Sequence, residues 1–369
     1  MISQEPFRDP RLLDSLFQAI RSEAELAGRR FSFMEVCGTH THAIAEAGLR
    51  RRLAPRVRLI SGPGCPVCVT PVEYLDRAIA LGRLPGVRLA TFGDLFRVPS
   101  SRGSLETAAA EGLRVEVVYS PRDALTLASA HPEERVVFLA VGFETTAPAI
   151  AATLAEADRL NIRNFYILSG HKVVPPPLRL LASDPELALD GLLLPGHVSV
   201  LTGWGIFDFL AADFGLPSVV VGFTPADILL GVLELVRQRR KGEARVTNLY
   251  GRVVRREENA QARWLMDRYF TPIDSDWRGM GVIPGSGLAL RSEWAGRDAG
   301  LWPVSLPEPI EPAGCRCGEV LKGTISPPEC PLFAAACDPD SPVGACMVSS
   351  EGTCAAWYRH ERYRGEAAP

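Results

Sequence analysis

The cysteines are the residues most able to do chemistry in this chain, and their spacing sorts nine of them into three groups. Cys37 stands alone in MEVCGTHTHAI, and Cys65 and Cys68 form a Cys-x-x-Cys in SGPGCPVCVTP. Cys315, Cys317, Cys330, Cys337, Cys346 and Cys354 crowd the C-terminal end, with none between Cys68 and Cys315. In that last group Cys317, Cys330, Cys337 and Cys354 are spaced C-x12-C-x6-C-x16-C. Four thiolates on loops pinned by Pro327, Pro328, Pro331, Pro339 and Pro342 can wrap a compact inorganic core, and an iron–sulfur cluster is the expectation. Structural zinc usually takes ligands in two close pairs, whereas only Cys315 and Cys317 are close here. Zinc and disulfides are the competing readings. Two thiols remain after four ligands and can form a dithiol beside the cluster.

The Cys65–Cys68 pair has the spacing for a reversible disulfide in a tight turn. Thr70, Pro71 and Glu73 predict a capped helix directly after it, whose N-terminal partial charge favours thiolate. The alternative is half of a zinc site. Cys37 follows a strand, with Gly38 freeing the backbone and Thr39 or Thr41 available to cap the next helix. His40 is near enough in sequence to polarise the Cys37 thiol or share a soft metal with it. A buried small hydrophobe is the plainer reading of a lone cysteine. His42 is expected to point elsewhere. Glu351, beside Cys354, is a candidate proton carrier. His171 and His197 read as loop histidines at strand ends, and GMGVIPGSGLAL as a tight packing turn, since it lacks the Lys-Ser/Thr of a phosphate loop.

The elements that must position these residues alternate. Apolar runs at 31–36, 57–62, 87–93, 135–142, 165–170, 189–196 and 217–223 predict strands, with helices such as VEYLDRAIALG and TAPAIAATLAEADRL between them. This is the pattern of parallel sheets covered on both faces, and ligands of such sheets sit at the carboxyl ends of strands. A weak internal repeat relates MEVCGTHTHAI…LISGPG to VGFETTAPAI…ILSGHK. The expected fold is α/β: two similar parallel-sheet units in tandem, plus a cysteine-rich iron–sulfur domain. The boundaries read as 30–120 and 121–235, with 1–29 and 236–369 forming the third, helical and cysteine-rich unit. Within it, residues 302–314 read as a proline-rich linker.

Hydrophobic residues make up 47% of the 369 and charged residues 22%, the composition of a folded globular protein. The net charge of −3 gives no global field toward nucleic acid or anionic lipid, and Arg50-Arg51-Arg52 reads as a solvated helix end. No signal segment or membrane-spanning run is recognised, so the expected compartment is the cytoplasm. In a reducing compartment, closely spaced cysteines point to metal or redox work.

Taken together, MEVCGTHTHAI, SGPGCPVCVTP, GFETTAP, SGHKVVPPP, LPGHVS, GMGVIPGSGLAL and CPLFAAACDPDSPVGACMVSSEGTCAAWY resemble the HypD family of hydrogenase maturation factors, over residues 30 to 360. The resemblance implies a protein that helps assemble the Fe(CN)2CO group of nickel–iron hydrogenases. It implies a small HypC-type partner, cyanide delivered by a HypE–HypF pair, and the hydrogenase large subunit reached through HypC. It places the cargo iron on Cys37, with His40 beside it, and a redox dithiol at Cys65 and Cys68. It places a 4Fe-4S cluster on Cys317, Cys330, Cys337 and Cys354, leaving Cys315 and Cys346 as a second thiol pair. The competing function is a stand-alone disulfide reductase of ferredoxin–thioredoxin reductase type. A zinc-stabilised binding module is a third.

Overall fold

All seven apolar runs become strands in parallel ladders. In the computed structural model, which describes residues 9–362, these are β1 (Phe31–Glu35), β2 (Val57–Ser61), β3 (Val87–Thr91), β5 (Arg135–Ala140), β6 (Phe165–Ser169), β7 (Gly191–Pro195) and β8 (Ser218–Val221). Two short strands join them, β4 (Val115–Val117) and β9 (Val246–Asn248). Residues 1–8 and 363–369, the two ends of the expected outer unit and the start of the segment read for a leader, lie outside the described residues.

The strands form two parallel sheets, ordered β2-β1-β7-β8-β9 and β4-β3-β5-β6. Two parallel-sheet units are thus present, as expected, but residue 120 does not divide them. The four-stranded sheet is inserted between β2 and β7, and β1 pairs with β7 across the insertion (Phe33 opposite Gly191, Glu35 opposite Leu193). The two repeat segments supply one strand–helix–strand unit to each sheet, β1–β2 and β5–β6, each pair parallel.

Side-chain alternation explains why both sheets are covered twice. Phe31, Phe33, Leu193 and Val219 face a core made with the helices Pro10–Ala27 and Pro225–Lys241. Met34, Leu192, Leu194 and Val220 face the opposite core, which runs on into the cysteine-rich region. In the smaller sheet Val136, Phe138 and Ala140 face one side and Val137 and Leu139 the other. Each such fully buried large side chain stabilises the fold by roughly 1.5–3 kcal/mol. Local signals agree with the packing. Helix Pro225–Lys241 starts with a Thr224–Asp227 capping box and proline in the first turn, and ends at Gly242 with φ 69°.

The glycine-rich stretch read as a packing turn is instead a strand. β11 (Gly281–Leu290) pairs antiparallel with β10 (Phe270–Trp277), with a register shift between Ile273 and Ser275. Gly285, at φ 63°, lies opposite that irregularity. Residues 303–312 carry no helix or strand, as expected of a proline-rich linker. Among the described residues no helix is long and apolar enough to cross a membrane.

Candidate metal and dithiol centre

In the larger sheet the strand order reverses between the parallel neighbours β1 and β7, the crevice where open α/β sheets bind ligands. Cys37 follows β1 and caps the helix Gly38–Glu46 through its own extended backbone (φ −149°, ψ 122°). No side chain caps that helix, so Thr39 and Thr41 do other work. Thr41 Oγ1 donates to Glu35 Oε1 at 2.5 Å, and the Cys37 amide donates to Glu35 Oε2 at 3.1 Å. Thr39 Oγ1 donates to Glu351 Oε1 at 2.7 Å, which brings the C-terminal region onto Cys37. Gly38 donates its N–H to the Gly64 carbonyl at 2.9 Å. A Cβ on Gly64 would strike the Cys37 backbone, and one on Gly38 would strike Glu351. Both glycines are therefore required by close approach.

Cys37 is 8% exposed. Burial, reinforced by the charges of Glu351 and Glu35, pushes its thiol up to about 12 against the pull of the His40 and Thr39 backbone N–H groups. His40 approaches the thiol through its backbone. Its imidazole points to the end of β8, with Nε2 donating to the Gly222 carbonyl at 3.0 Å and the ring against Phe223. Burial holds that ring neutral, its pKa lowered to about 4. His42 packs edge-on against His360, pointing elsewhere as expected. His197, at the end of β7, is exposed and stacked on Phe223, with rings 3.9 Å apart. His171 is buried at the end of β6, where its Nδ1 is 3.3 Å from Ser169 Oγ.

Cys65 and Cys68 are buried and joined as a disulfide within a turn, with Cα atoms 5.3 Å apart. The following helix, Val72–Gly82, starts without the predicted capping box, because Thr70 Oγ1 donates back to the Pro66 carbonyl at 2.9 Å. Its place in holding the turn is taken by Arg278. The Arg278 amide donates to the Val69 carbonyl at 2.9 Å, and its Nε to the Thr70 carbonyl at 2.8 Å.

The six C-terminal cysteines line one small cavity together, walled by Val320, Leu332, Phe333 and Met347. Cys317 begins the helix Cys317–Lys322, Cys346 lies in the short helix Ala345–Val348 and Cys354 in the helix Thr353–His360; Cys315, Cys330 and Cys337 lie outside helices. Cys317 stands between Cys315 and Cys346. Its sulfur is 2.8 Å from that of Cys346, and hydrogen bonds from both thiols, with the charge of Arg278, hold it far toward thiolate. Cys346 is correspondingly held toward thiol by Cys317 and Cys354. Val343 donates its amide to Cys337 Sγ at 3.3 Å. Among the described residues no three of His, Cys, Asp or Glu gather round a single-ion point; the thiols stand around a space instead. A soft, all-sulfur donor set in an apolar cup fits an iron–sulfur cluster.

The cup and the dithiol turn are one body. Cys65, Cys68, Trp277, Cys317, Cys337, Cys346 and Cys354 belong to a single buried cluster that also includes Met34 and Ile60 of the larger sheet. The smaller sheet grips the cup's loops, where Ser349 donates to Asp94 at 2.6 Å and Arg97 to the Pro339 carbonyl at 3.0 Å.

Three charged residues of this centre escaped the sequence reading. Glu35 is fully buried beneath Cys37, and burial raises its pKa. Arg50, read as part of a solvated helix end, is 8% exposed. It donates to Ser61 Oγ at 2.7 Å and to Glu361 at 2.8 Å, and lies 4.0 Å from Glu35. Arg51 and Arg52 are exposed, as read. Arg278 is the third, and its only signal was an arginine placed between a tryptophan and glycines.

Fold and site define a cysteine-rich α/β protein that joins a strand-end thiol, a dithiol turn and a six-cysteine cup. A family model described as "HypD: Hydrogenase formation hypA family" matches residues 11–361. The chain is 42% identical to the hydrogenase maturation factor HypD of Escherichia coli (strain K12), covering 98% of this chain and 99% of that protein. It is 43% identical to HypD of Azotobacter vinelandii, covering 98% of this chain and 97% of that one. The chain belongs to the HypD family of hydrogenase maturation factors.

Proposed function

We propose that this chain is the scaffold on which the Fe(CN)2CO group is assembled before transfer to a hydrogenase large subunit. The observation that carries the reading is the meeting of Cys37, the Cys65–Cys68 loop and Glu351 at one strand end, through Gly38, Gly64 and Thr39. Cys37 is the soft ligand for the ferrous cargo. In the free protein it holds its proton tightly, so iron must displace that proton, and Glu351 is placed to receive it. Backbone crowding round Cys37 limits what one chain can supply. The further ligand comes from a HypC-type small chaperone, cyanide comes from a HypE–HypF pair, and HypC carries the product to the large subunit in the cytoplasm.

Cys317, Cys330, Cys337 and Cys354 would hold a 4Fe-4S cluster in the cup, where it supplies electrons one at a time. Opening the Cys65–Cys68 bond takes two electrons. Cys315 and Cys346, both against Cys317, are the second thiol pair. The apolar cluster shared by cup and turn excludes water between them.

The test is anaerobic purification of the complex with its small partner, followed by iron analysis and infrared spectroscopy. Cys37→Ala should lose the cyanide and carbon monoxide bands while keeping the visible absorbance of the cup. Full bands in Cys37→Ala would sink the scaffold reading and leave a disulfide reductase.

A further inference from the structure

Arg278 is the feature of the centre that the proposed function leaves unused. It lies on the segment joining β10 to β11 and is 3% exposed. Its backbone and Nε bind two consecutive carbonyls of the dithiol turn, Val69 and Thr70. Its neighbour Gly279 (φ 74°) packs its backbone directly against Gly318, beside Cys317, where no Cβ fits on either side. Both terminal nitrogens of the guanidinium are buried without a hydrogen-bond partner among the described residues. Among the described residues its one ion pair is a loose one, Nη1 to Glu311 of the proline-rich linker at 3.7 Å, and Glu311 is largely exposed there. A fixed buried cation with spare donors is costly unless negative charge develops beside it. The groups nearby that can gain negative charge are the sulfurs of the turn and the cup.

We propose that Arg278 is a positioning residue for electron transfer. It clamps the Cys65–Cys68 turn against the cysteine cup and holds between them a buried positive charge that favours the reduced state of both. Glu311, on the linker, opposes that charge. The inference rests on the cup holding a cluster, but its dithiol half does not depend on it. Reduction of the Cys65–Cys68 bond by an external dithiol breaks one S–S bond. It takes two electrons from the reagent, which closes to its own disulfide and releases two protons; one protonates a sulfur of the turn and the other goes to solvent, so the second sulfur is left as a thiolate beside the Arg278 cation.

The experiment equilibrates the full chain in dithiothreitol redox buffers, traps thiols with a maleimide, and titrates the cup's visible absorbance in parallel. Arg278→Gln and Arg278→Met should shift the dithiol–disulfide equilibrium about tenfold toward disulfide, about 30 mV for this two-electron couple. The same tenfold at the one-electron cup is about 59 mV. Arg278→Lys, which keeps the charge but loses the fork, should stay near the wild type, and Glu311→Gln should shift both potentials the opposite way. Equal shifts in the lysine and glutamine variants would make Arg278 a hydrogen-bonding strut and overturn the electrostatic role. Unmoved potentials in Arg278→Met would overturn it too. If Arg278 variants fail to fold, an unmoved Glu311→Gln does so alone. A wild-type chain without iron and sulfide would defeat the cluster reading, and the trapped dithiol would still decide for or against Arg278.

Discussion

Glu144, just after β5, is 3% exposed and accepts the Val174 amide on one oxygen at 2.8 Å, while the other has no partner among the described residues. Burial raises its pKa to about 7 from 4.5. The folded chain therefore binds a proton there that the unfolded chain has released between these two values. Its contribution is whole below about pH 4.5 and is lost as pH rises through 7, a change of roughly 3 kcal/mol. Glu144→Gln keeps the Val174 bond, so its urea midpoint should exceed the wild type's at pH 8 and converge with it near pH 4.5. His171 acts in the opposite sense. Burial lowers its pKa to about 3, so its contribution is present above 6.5 and is lost on acidification. At Cys37, a thiol pushed up to about 12 carries roughly a thousandfold less thiolate than an ordinary one at the same pH. Iodoacetamide at pH 8 should spare Cys37 in the folded chain and label it in urea, as peptide mass spectrometry would show. The cysteines themselves were legible because few residue types share their chemistry. Glu35, Arg50 and Arg278 were not, because a charged residue reads as solvated until remote elements close over it.

Among the elements, the glycine loop before Cys65 is a tight joint. Gly64→Ala would drive its methyl into the Cys37 backbone, and overpacking of this kind costs about 1–3 kcal/mol. The expected outcome is a lower urea midpoint together with faster alkylation of Cys37, because the loop that covers it must lift. Helix Val72–Gly82 matches the stretch read from the sequence residue for residue, since its apolar spacing already marks one buried face. The turn before it was misread. A Thr-Pro-x-Glu pattern satisfies a capping box on paper, but Thr70 is spent inside the dithiol turn. The strand β11 was hidden for a related reason. Glycines depress strand propensity, and here they serve a register shift in a hairpin whose pairing only the partner strand reveals.

At the scale of the whole molecule, Arg50 ties the C-terminal region to the larger sheet by bridging Ser61 and Glu361. Removing one partner of a buried ion pair costs about 3–5 kcal/mol. Arg50→Met should therefore lower the melting temperature and open the segment after Cys315 to limited proteolysis before the sheets unfold. Iron chelation of a cluster-loaded sample should have a related signature. Hydrogen exchange should rise in residues 315–354 and stay low in β1 and β7, because the cup's loops depend on what they enclose while the sheets rest on apolar packing. The parallel-sheet class was legible from continuous apolar strands. Their division between sheets was not, because local pattern carries no record of which strand a given strand will pair with.

The insertion of one sheet within the other sets an order of events during synthesis. β1 leaves the ribosome long before its neighbour β7 exists, whereas β3 to β6 can pair among themselves as soon as they emerge. Cys37, Cys65 and Cys68 are thus made first and enclosed last, once Glu351 and the cup have been translated. For that interval these three cysteines have no cover. The nascent chain depends on the reducing capacity of its surroundings, and a pause in translation before the C-terminal cysteines would lengthen the exposure.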